Sequence, residues 1–137
     1  MQESDLPTLD MESMNRDHRD QVETINVVIA AIEAHDGSEA TLGALDEAID
    51  DFAEHTREHF NQEDDQMHRY GFPAFVLHKE EHARTLHRMQ ERIERWRAER
   101  DLDLLGEYFR EQFPAWLVNH VTLMDSVCAQ FVAGKAH

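Results

Sequence analysis

The chain has 137 residues, enough to bury one core without staples, and its 29 acidic residues against 13 basic ones give a formal net charge of −16. That charge repels nucleic-acid phosphates and anionic membrane surfaces, so neither is an expected partner, and it reads as a solvated acidic face. The single cysteine, Cys128, excludes an intrachain disulfide, and MQESDLPTLD carries neither a basic leader nor an apolar core, so the protein reads as cytoplasmic with no membrane span. With 5 glycines, 3 prolines and no low-complexity stretch, one all-α domain over residues 1–137 is expected.

In chain order, residues 1–9 read as an extended arm, since Pro7 disfavours helix before it, and the bundle is expected over residues 10–132. A first helix over about 10–36 follows from Met11, Met14, Val22, Ile25, Ile29 and Ile32 at three- and four-residue steps, with His18 inside that stripe. Gly37 suits the position after its end, and Ser38 the next N-cap. A second helix over about 39–69 carries Leu42, Leu45, Ile49, Phe52, Thr56, His59, Glu63 and Met67 on one face. Tyr70-Gly71-Phe72-Pro73 stops it at Gly71 and restarts helix at Pro73. A third helix over about 74–99 aligns Phe75, His78, His82, Thr85, Met89, Ile93 and Trp96. The last, over about 102–132, aligns Leu105, Phe109, Phe113, Leu117, His120, Met124, Val127 and Phe131. Pro114 predicts a kink there, or a second helix beginning near it. Amphipathic helices joined by short turns predict an up-down-up-down four-helix bundle.

All four seams carry polar groups where the pattern asks for hydrophobes. His59 with Glu63, and His78 with His82, are i,i+4 pairs that share a helix face, and the turn at Gly71 folds those faces together. An unpartnered polar group in a core costs roughly 1–3 kcal/mol, and a charge more, so His18, His59, Glu63, His78, His82 and His120, with Asp125 beside Met124, need a common compensation. Metal coordination supplies it. Five imidazoles and two carboxylates exceed the needs of one six-coordinate ion, which suggests a dinuclear site with bridging carboxylates. Nitrogen and oxygen donors without thiolate suit iron, with manganese, zinc and copper as alternatives by ligand type.

His18 in DHRDQ, His59, Phe60 and Glu63 followed by Met67, the Gly71/Pro73 turn, His78 with His82, and Trp116, Leu117, His120 and Asp125 together resemble the hemerythrin family over nearly the whole chain, in its bacterial single-domain form. The resemblance implies two Fe ions with an oxo or hydroxo bridge in the bundle core, and reversible O2 binding for storage, delivery or scavenging. It assigns His78, His82 and His120 to one iron, His18 and His59 to the other, which keeps an open position, Glu63 and Asp125 as bridges, and Trp116 and Leu117 to the oxygen pocket. Nitric oxide, peroxide and small anions such as azide are further expected ligands. Two positions depart from the family pattern: Asp64, where a second Glu is usual at a non-ligand position, and Pro114 before the Trp116-Leu117 pair. His120 and Asp125, five residues apart, point about 140° apart on an ideal helix, so their convergence is implied by the resemblance alone.

His35, His55, His68, His87 and His137 read as surface groups and Cys128 as a buried inert thiol. An oxygen-binding protein is favoured over an enzyme, because the seven ligands use every strong donor in the seams and leave no obvious general acid. The alternatives are a diiron enzyme reducing peroxide, nitric oxide or O2, and an oxygen or redox sensor. A ferritin-like oxidase is disfavoured, because no Glu-x-x-His occurs.

Overall fold

The computed structural model describes residues 1–135, the last by its backbone alone, so His137 lies outside the described residues. Four helices form the bundle: α1 (Glu12–Ala34), α2 (Glu39–Arg69), α3 (Phe75–Glu99) and α4, which runs unbroken over 102–135. Three short connections make sequential helices antiparallel neighbours, and α4 closes the bundle against α1 and α3.

The connections owe their shapes to a few residues. Gly37 takes φ +86 after α1, and Ser38 then caps α2, its hydroxyl accepting from the Thr41 N–H at 3.2 Å. Asp36 accepts from the Ser38 N–H at 2.9 Å, and these Ser38 contacts hold its carboxyl down at about 2. At the end of α2, Gly71 adopts φ +66. The Phe72 N–H donates to the Met67 carbonyl at 2.9 Å and the Gly71 N–H to His68 at 3.3 Å, a Schellman stop that only a residue tolerant of positive φ closes cheaply. Pro73 sits in the turn, two residues before Phe75 opens α3, rather than in the first helical turn. At the end of α3 the left-handed residue is Arg100, φ 52. Its guanidinium donates to Asp46 at 2.8 Å and lies 5.0 Å from the Trp96 ring, which offsets the cost of that conformation.

The fourth helix departs most from simple periodicity. It is built of Leu102–Glu107, a π turn Tyr108–Gln112, Phe113–His120, a second π turn Val121–Asp125, and Ser126–Lys135. In the first π turn the Phe113 N–H donates to the Tyr108 carbonyl, an i→i−5 bond. The wider turn precedes Pro114, whose ring clashes with the ordinary helical register, so the chain neither breaks nor starts a new helix there. The second π turn inserts one residue into the seam. Downstream, Asp125, Cys128, Ala129 and Val132 are buried, while Val127, placed in the seam by the sequence pattern, is 53 % exposed. The expected Met124, Val127, Phe131 face is thus shifted by one position.

Two apolar clusters fill the bundle. The larger contains Ile25, Ile49, Phe52, Met89, Phe109 and Phe113, and the smaller contains Met14, Met67, Phe72, Cys128 and Val132. Along each helix the polar seam residues fall between them. Residues 1–9 are not a free arm: Glu3–Asp5 form a 3-10 turn, Met1, Leu6 and Leu9 pack on the larger cluster, and the N-terminal amine donates to Asn26 at 3.0 Å.

Phe52 anchors the larger cluster, with Phe109 and Phe113 edge-on at 5.0 Å each. Phe52→Ala is expected to cost about 3–5 kcal/mol of unfolding free energy, measured by urea titration.

Candidate metal centre

The seven predicted side chains meet in one closed space, and none is more than 4 % exposed. They fall into two groups: His78 and His82 of α3 with His120 and Asp125 of α4, and His18 of α1 with His59 and Glu63 of α2. Within each group, one donor atom per residue lies within 4.8 Å of the others.

The i,i+4 pairs point inward as their spacing requires, with His59 Nε2 3.1 Å from Glu63 Oε1. Asp125 joins the groups. Its Oδ2 is 3.1 Å from His18 Nε2, while Oδ1 is 2.9 Å from His78 Nε2 and 3.1 Å from His120 Nε2. The second π turn makes this possible, because an i→i+5 register carries Asp125 back toward the face of His120. Glu63 Oε1 also reaches toward the other group, 3.8 Å from His82 Nε2.

The donor set fits a cation better than it fits protons. His120 Nε2 lies 3.0 Å from Nε2 of both His78 and His82. One proton holds two such nitrogens together but does not satisfy three. His59 Nε2, both Glu63 oxygens and Asp125 Oδ1 are buried and, despite their close neighbours, none has a partner in hydrogen-bonding geometry, an arrangement whose desolvation cost calls for an ion. Burial pushes the Glu63 carboxyl well above the usual range, and the Asp125 charge adds to the effect. Burial would also raise Asp125, yet the His120, His18 and His78 imidazoles hold it well below the carboxylate range. Burial lowers His59, and holds His82 down at about 4. Both rings are therefore neutral near neutral pH, each with one nitrogen lone pair free to donate.

Residues 10–132 match the family model described as the hemerythrin HHE cation binding domain. The chain belongs to the hemerythrin family. It is 26% identical over 117 residues to the bacteriohemerythrin of Aquifex aeolicus (strain VF5), covering 85% of this chain and 86% of that protein. With the bacteriohemerythrin of Ralstonia nicotianae (strain ATCC BAA-1114 / GMI1000) it shares 33% identity over 88 residues, 64% of this chain and 63% of the relative. With that of Stenotrophomonas maltophilia (strain R551-3) it shares 32% over 94 residues, 69% and 58% of the two chains. No solved structure matches the chain. Family and donor set together make this an iron-binding domain of hemerythrin type.

Around the hemerythrin donors stand residues that the sequence pattern did not single out for this role. Asp64, expected only as a non-ligand position, accepts from His82 Nδ1 at 2.9 Å and so turns Nε2 toward the centre. Gln21, fully buried on α1, has its Oε1 3.2 Å from His59 Nδ1 and donates through Nε2 to Thr56 at 2.9 Å. Such partners fix ring orientation and tautomer. Gln21 was detectable as a polar residue on the buried face of α1, one turn after His18. Two aromatics brace the α3–α4 side: Phe60 stacks on His82 at 4.1 Å and 8°, and Trp116 on His120 at 4.6 Å and 16°. Trp116 donates to Glu81 at 2.7 Å, and Leu117 is buried in the larger cluster.

The remaining histidines stay out of both donor groups among the described residues. His68 and His87 are exposed, and His35 is half-buried beside Thr41 at 3.1 Å. His55 is not a solvated group as expected: it is half-buried, 6.1 Å from the His59 ring, and burial lowers its pKa. Cys128 is fully buried, and burial pushes its thiol up to about 12, as an inert core group requires.

Removing the carboxylate behind His82 is expected to loosen metal without unfolding the bundle. Asp64→Ala should lower iron affinity about 10–100-fold in chelator competition, with helical circular dichroism unchanged.

Proposed function

We propose that this protein binds dioxygen reversibly at two iron ions, for storage, delivery or scavenging. His78, His82 and His120 would hold one iron, His18 and His59 the other, with Glu63 and Asp125 bridging. The observation that carries the reading is the unequal division of imidazoles about a shared carboxylate: Asp125 touches His18 through one oxygen and His78 and His120 through the other. Three rings on one side and two on the other leave the α1–α2 side one donor short, which is where a small molecule would enter. Two ferrous ions, when bound, would supply the electrons that reversible dioxygen binding takes up, and an oxo or hydroxo bridge would balance the remaining cationic charge.

The surrounding residues favour a carrier over an enzyme. Release of reduced oxygen species needs protons, and the nearby donors are committed elsewhere. Gln21 Nε2 donates to Thr56, the Thr56 hydroxyl to the Phe52 carbonyl at 2.8 Å, and Trp116 to Glu81. The apolar clusters above and below restrict water. Trp116 and Leu117 would line the oxygen pocket.

Anaerobic reduction of the iron-loaded protein, followed by cycles of O2 addition and argon purging, tests the reading. Two irons per chain and a charge-transfer band that appears with O2 and vanishes under argon are expected. Immediate irreversible oxidation would favour the alternative, reduction of peroxide, nitric oxide or O2. Glu63→Ala or Asp125→Ala should abolish the paired site, and two full equivalents of iron in either variant would refute the bridging roles.

Metal loading should be pH-linked, because protons compete for the same nitrogen lone pairs. Since His82 is held at about 4, its release of metal should begin below the ordinary histidine value of about 6.5. Iron content after dialysis at stepped pH is expected to be full at neutrality and lost as pH approaches 4. Full retention well below that point would contradict a histidine-rich site.

A further inference from the structure

On a strongly acidic chain, one cleft is cationic. It opens between α3 and α4 with a volume of about 370 Å³ and is lined by Arg88, Arg92, Tyr108, Gln112, Phe113 and Trp116, with no carboxylate on its wall. Arg88 and Arg92 are one turn apart on α3 and flank the opening. Arg88 is only loosely engaged, 4.0 Å from Glu81 and 3.4 Å from the Thr85 hydroxyl, and Arg92 makes no ion pair among the described residues.

The floor adds a second observation. Tyr108 is only 5 % exposed, yet its hydroxyl has no hydrogen-bond partner and lies at the cleft. Open to the cleft and without a protein partner, this hydroxyl stands beside two guanidinium groups. Burial pushes its pKa up despite both arginines, so it remains a donor at any physiological pH. Trp116 forms an aromatic wall, backed by the buried Phe113 with ring centroids 5.6 Å apart.

We infer that this cleft binds a planar aromatic molecule carrying a phosphate group. Arg88, Arg92 and the Tyr108 hydroxyl would hold the anion, and Trp116, backed by the buried Phe113, would pack against the ring system. Two guanidinium forks and one neutral donor match the acceptor-rich surface of a phosphate. The cleft falls within the roughly 300–1,000 Å³ range of small-molecule sites. Its location gives the site a consequence: the ring would touch the indole that stacks on His120, one side chain away from the candidate metal centre.

Three probes separate the ring from the anion: flavin mononucleotide, riboflavin and inorganic phosphate, titrated into the iron-loaded protein by calorimetry and by flavin fluorescence. Flavin mononucleotide is expected to bind with quenched fluorescence, at least tenfold more tightly than either riboflavin or phosphate. Arg92→Glu should weaken it at least tenfold, and Tyr108→Phe, which keeps the packing, about fivefold. Arg97→Glu, on a residue paired with Asp50 away from the cleft, should leave it unchanged. Iron content and circular dichroism establish that each variant is folded. No binding at millimolar flavin mononucleotide, equal binding of riboflavin or phosphate, or an unaffected Arg92→Glu variant would overturn the assignment.

Discussion

Seven polar side chains buried between two apolar clusters are the constraint on which the rest of the structure depends. Unpartnered, they would each oppose folding, and together they would outweigh much of the few kcal/mol by which a domain of this size is stable. Their mutual approach, with three imidazole nitrogens about one point and an aspartate touching three rings, makes a cation the natural compensation. Folding and metal binding would thereby be coupled, since the candidate donors come from all four helices and converge only in the assembled bundle.

The second π turn shows how local backbone serves that constraint. An uninterrupted α-helix would turn Asp125 away from His120, and the extra residue in Val121–Asp125 corrects it. The same insertion rotates the rest of α4 by one position, exposing Val127 and burying Cys128. A feature needed at the centre therefore sets the core packing of residues 126–134. The earlier π turn does comparable work for Pro114, letting the helix run past a residue that would otherwise break it.

Around the donors, control passes to residues that touch no metal. Asp64 and Gln21 orient two of the five rings, while Phe60 and Trp116 stack on two. The stacked Trp116 also forms part of the arginine-flanked cleft, so one indole belongs to the surroundings of both sites.

The sequence by itself determined the helices and singled out the candidate donors that the fold brings together. Three- and four-residue apolar steps define each seam, Gly37, Ser38 and Gly71 mark the connections, and polar residues in those seams stand out because burying them needs a reason. The hemerythrin resemblance was legible in the same residues. Tertiary structure decided what periodicity could not express: the inserted residue that aligns Asp125 and shifts the end of α4, the docking of residues 1–9, the left-handed Arg100 held by Asp46 and Trp96, and the roles of Asp64 and Gln21. Each of these depends on a partner distant in sequence or on a departure from 3.6 residues per turn, whereas a seam is a repeat written along one segment.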